Sequence, residues 1–67
     1  MKKTLNQLKA SRRNLSLKLL AGMIINLKHI KPFVRDTEVV IRIDTLLAAI
    51  ERLQSSIKET TYESWSA

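Results

Sequence analysis

The stretch Ile30-Lys31-Pro32-Phe33-Val34-Arg35-Asp36-Thr37-Glu38 decides the fold of this 67-residue chain. Pro32 is the only proline, and it closes a long run with helical apolar spacing. It has no amide hydrogen for a helix ladder and is expected to push Lys31 out of the α region, so a first helix should stop here. Asp36 then offers a carboxylate to the free amides of a new helix, and Glu38 adds negative charge where the helix dipole favours it. A stop followed so soon by a start predicts two helices joined by a short turn.

Upstream of the turn, residues 4–31 placed on a helix at about 100° per residue gather Leu8, Leu15, Leu19, Met23 and Leu27 on one face. Leu5 and Ile30 extend that face, and Leu20 and Ile24 widen it. Lys28, His29 and Lys31 fall in the last turn, where cations suit the negative helix end. Downstream, Ile43, Leu46, Ile50, Leu53 and Ile57 follow Val39 at alternating steps of three and four, close to a heptad seam. That period does not fit a strand, whose side chains alternate by two.

The expected fold class is therefore all-α: an antiparallel two-helix hairpin occupying residues 1–67 as one domain. The boundaries expected are a helix over about 4–31, a turn over about 32–36, a helix over about 37–61 and a weakly ordered tail. The hairpin core is expected from Leu8, Leu15, Leu19, Met23 and Leu27 against Ile43, Leu46, Ile50, Leu53 and Ile57. Phe33 and Val34 are expected to plug the turn end. Arg12 is expected across from Gln54, Ser55 and Ser56, and within a turn of Glu59.

A lone hairpin hides only the facing part of each apolar stripe, and apolar residues remain outside the seam. Leu17, Ala21, Gly22 and Ile25 on the first helix, with Ile41 and Ala48 on the second, predict an oligomer interface. A homodimer forming a four-helix bundle is the simplest outcome, since two-fold homo-oligomers are the commonest kind. The Rop-type bundle is similar in length and helix count. That likeness involves no shared motif and transfers no residue roles.

Charge divides at the turn. Residues 1–35 carry nine Lys and Arg and no acid, whereas residues 36–67 carry three bases against six acids. The whole chain carries +6. Lys2, Lys3, Lys9, Arg12 and Arg13 are candidate contacts for an anionic partner, because cations along a helix can follow a phosphate backbone. The same cations can instead form a solvated face that pairs with the acidic second helix. Tyr62 and Trp65 are candidate anchors for a protein partner. Their other reading is that they fold back over Leu5 and Leu8 and close the open end.

Little else suggests chemistry. There is no cysteine and a single histidine, His29, which reads as a helix-end cation. Asp36 and Glu38 read as a helix start, and Asp44 and Glu51 as a solvated flank. No enzyme activity, cofactor, metal site or small-molecule substrate is expected. Arg12, Arg13 and Lys18 interrupt the apolar stretch that would make a signal peptide, and no run is long enough to span a membrane. A cytoplasmic protein is expected.

The functional expectation is a small regulatory or adaptor protein that binds itself and another protein. A phage or other mobile genetic element, redirecting host machinery, is the setting to which that expectation points. The alternative is a dimeric RNA- or DNA-binding regulator using Lys9, Arg12 and Arg13. A third reading is attachment of the basic helix to anionic membrane.

Overall fold

The structure is a computed structural model that describes residues 4–66. Two α-helices dominate: α1, Leu5–Ile30, and α2, Thr37–Lys58. A 3₁₀ turn, Lys31–Phe33, joins them with the extended residues after it, and a second 3₁₀ turn, Tyr62–Ser64, follows α2. Within the described residues there is no strand. The protein is an all-helical hairpin.

Local chemistry explains each boundary. Thr4 caps α1: its hydroxyl accepts from the Gln7 amide at 3.2 Å, and the Gln7 side chain accepts from the Thr4 amide at 2.9 Å. Pro32 lies at the start of the 3₁₀ turn, where the missing amide hydrogen costs nothing, and Lys31 before it stays in the α region (φ −49°, ψ −44°), contrary to expectation. Asp36 caps α2 as expected, one carboxylate oxygen accepting from Glu38 at 2.9 Å and Val39 at 3.2 Å. The Glu59 amide reaches the carbonyls of Ser55 and Ile57 at the other end of α2. The helix thus stops at Lys58, before Thr60 and Thr61.

The hairpin is thin. Its Cα extents are 50 × 22 × 12 Å, so it is one helix deep. Its radius of gyration is 15.6 Å, against roughly 11 Å for a compact chain of this length. A single layer has little interior, and only Ile43, Leu47 and Ile50 are buried among the described residues.

The packed face of α1 differs from the one expected. Leu17, Leu20, Ile24 and Leu27 are half-buried, whereas Leu8, Leu15, Leu19 and Met23 are exposed. On α2, Ile43 and Ile50 are buried and Ile57 half-buried, whereas Leu46 and Leu53 are exposed. The helices have turned so that a different apolar stripe of α1 meets its neighbour. The physical reason is the pairing of polar groups, since the expected stripe carries Arg12 and Asn26 along its length. The observed seam meets polar groups only near its ends, where Arg13 and Lys31 find partners on the other side of the hairpin.

That rotation also moves the expected oligomer surface. Leu17 and Ala21 are half-buried on the side of α1 nearer the seam, and Gly22 is half-buried too. Ile25, Ile41 and Ala48 remain exposed. Phe33 does not plug the turn end: it is 86% exposed, while Val34 is half-buried.

Candidate interaction surface

The exposed apolar residues follow a pattern. On α1 they are Leu5, Leu8, Leu15, Leu19, Met23 and Ile30, with Ile25 apart from the rest. On α2 the stripe is Val39, Leu46 and Leu53, each a heptad from the next, and Ile41 stands apart. At about 100° per residue, each stripe lies backward in rotation from its helix's packed face, by about 110° on α1 and about 65° on α2. Because the helices are antiparallel and face each other, the same sense of rotation takes both stripes to the same side. One broad face of the layer is therefore apolar.

The opposite face is polar, with Asn14 and Lys28 on α1 and Asp44, Glu51, Ser55 and Lys58 on α2. Lys31 Nζ meets Asp44 Oδ1 there at 2.6 Å. Both side chains are about half exposed, so the pair adds only ~0.2–1 kcal/mol. A shallow depression lined by Ala48, Glu51, Arg52, Ser55 and Ser56 runs along α2. A smaller one is lined by Ile25, Lys28 and His29. Neither combines groups from both helices.

The open end of the hairpin is tied by the C-terminal segment. Arg13 Nη1 donates to the Thr60 carbonyl at 2.9 Å. The Trp65 indole nitrogen donates to the Thr60 hydroxyl at 2.8 Å, and that hydroxyl donates to the Ile57 carbonyl at 2.6 Å. The 3₁₀ turn Tyr62–Ser64 packs against α1, Trp65 is half-buried and Tyr62 is 42% exposed. The segment expected to be weakly ordered thus folds back, although Leu5 and Leu8 stay exposed at 58% and 41%. The role expected of Arg12 belongs to Arg13, its neighbour, and the acceptor is a backbone carbonyl.

The candidate anionic-partner contacts are dispersed. Lys2 and Lys3 lie outside the described residues. Lys9 is half-buried and Arg12 exposed, whereas Arg13 turns inward to Thr60. Consecutive helical residues point about 100° apart, so Arg12 and Arg13 do not share a face. Arg12 instead lies in the apolar stripe, between Leu8 and Leu15.

His29 is exposed in the last turn of α1. Among the described residues no three His, Asp or Glu side chains gather as a metal site. No described helix is long and apolar enough to cross a membrane. Sequence reasoning placed Leu27 in the expected core, Leu20 and Ile24 at its margin and Leu17 in the expected oligomer interface, whereas the packed face of α1 combines all four. What separates the two faces is the partners that Arg13 and Lys31 find across the hairpin, which lie far off in sequence. No protein-family model, curated protein or solved structure matches this chain.

Proposed function

We propose that the protein is a non-enzymatic homo-oligomer that acts as a regulatory adaptor through protein–protein interaction. Its working unit is a four-helix bundle made from two hairpins, joined through the apolar face of the layer. One observation carries this reading: nearly all the large exposed apolar side chains of α1 and α2 lie on one side. Contiguous apolar surface of that kind marks an interaction site on a protein in water, whereas scattered single residues do not.

The areas fit a second copy. A compact monomer of 7.7 kDa exposes roughly 4,300 Å² by size scaling. This hairpin exposes 5,490 Å². The excess, about 1,200 Å², is more than the ~800 Å² that each partner loses in a standard interface.

Leu46 tests the reading, because it is 45% exposed and adds little to the hairpin's own interior. The wild-type melting temperature should rise with protein concentration, as linked folding and association require. Leu46→Glu should leave the helical signal of a folded hairpin at low temperature but abolish the concentration dependence. A wild-type midpoint unchanged over a hundredfold range of concentration would contradict the proposal.

A further inference from the structure

The geometry points to Arg12 and Asn26 as the residues that together limit how tightly two copies hold each other. This rests on the self-association proposed above and adds what sets its strength. On α1, Leu5, Arg12, Leu19 and Asn26 form one column down the exposed stripe, each a heptad from the next. Every second member is polar. The column on α2, Val39, Leu46 and Leu53, has no polar member.

The hairpin itself does not need either polar group. Both residues are exposed, and among the described residues neither side chain has a hydrogen-bond or ion-pair partner. Asparagine is also a poorer helix former than leucine, so Asn26 weakens α1 slightly. In water both groups are solvated at no further cost.

The cost arises when the face is covered. A second copy presents the same two stripes, in which Arg12 and Asn26 are the only polar side chains among the described residues. Those stripes offer the guanidinium no carboxylate, since Asp44 and Glu51 lie on the opposite face of the layer. Whichever way the copies lie, the two groups meet hydrocarbon or, at best, one another. Against hydrocarbon they lose water without replacement. Against one another, a cation and an amide taken out of water hold less well than packed leucines would. The penalty thus follows from the composition of the face and is independent of the symmetry of the pair. It keeps the apolar face exchangeable, which suits an adaptor that binds both itself and another protein.

Arg12→Leu with Asn26→Leu in one chain removes both groups. Asn14→Leu with Lys28→Leu is the control, because it removes the same charge and the same amide from the opposite, polar face of α1. Sedimentation with fluorescence detection, using a trace of dye-labelled chain, gives the dissociation constant of each. That of the first variant should be roughly tenfold or more below the wild-type value, and that of the control should match the wild type. An unchanged or larger constant for the first variant, or an equal decrease in the control, would overturn the inference and leave the self-association reading intact. Monomers in all three would overturn that reading and the inference with it. A monomeric wild type beside a dimeric first variant would support the restraint and overturn the self-association reading.

Discussion

Gly22 lies in the interior of α1, and among the described residues no glycine has a positive φ. A Cβ added there would meet nothing within 4 Å. Neither backbone geometry nor close packing requires glycine, so its main effect is greater conformational freedom in the unfolded chain. Gly22→Ala should therefore stabilise the protein by ~0.5–1 kcal/mol, seen as a higher thermal midpoint. It should do so in the assembly as well, because position 22 faces outward from α1, off the apolar face. A lower midpoint would mean that helices approach closely at Ala21-Gly22, within the oligomer interface expected from the sequence. Arg13 shows the same dependence on position. Its guanidinium reaches an acceptor 47 residues away in sequence, whereas Arg12, one residue earlier, stands among exposed leucines.

At the scale of elements, what could be read directly was what depends on neighbours along the chain. Pro32 ends one helix, and Asp36 opens the next by accepting from two amides of its first turn. Asp36→Ala should lower stability by ~0.5–2 kcal/mol, measured by urea unfolding, with the unfolding slope unchanged. Restoring a short capping side chain with Asp36→Ser should recover most of the loss, which a purely electrostatic role for Asp36 would not allow. The orientation of α1 was harder to read, because that helix has two apolar stripes about 110° apart. Leu8, Leu15, Leu19 and Met23 make as good a helical pattern as Leu17, Leu20, Ile24 and Leu27. Choosing between them takes the partners of Arg13 and Lys31, which are distant in sequence. The C-terminal segment was obscure for the same reason: Tyr62–Ser64 has weak helical propensity, and its fold depends on the bonds of Thr60 to Arg13 and Trp65.

For the whole molecule, thickness is the governing fact. A hairpin with Cα extents of 50 × 22 × 12 Å can bury residues only along the line where its helices meet. Among the described residues three are buried there, and the second apolar stripe of each helix is left facing water on the same side. Composition and periodicity were enough to anticipate the surplus of apolar surface. They did not reveal which residues make it up, because the surplus is whatever the seam leaves over. Exchanging the seam exchanged the candidate interface as well, from Leu17, Ala21 and Ile25 to Leu15, Leu19 and Met23. A second layer of helices laid on this face would turn it into an interior. The most direct test is the mass of the unlabelled protein by sedimentation equilibrium at micromolar concentration. The account predicts a particle of two 7.7 kDa chains that dissociates on dilution. A single 7.7 kDa chain that stays folded and melts cooperatively would contradict it.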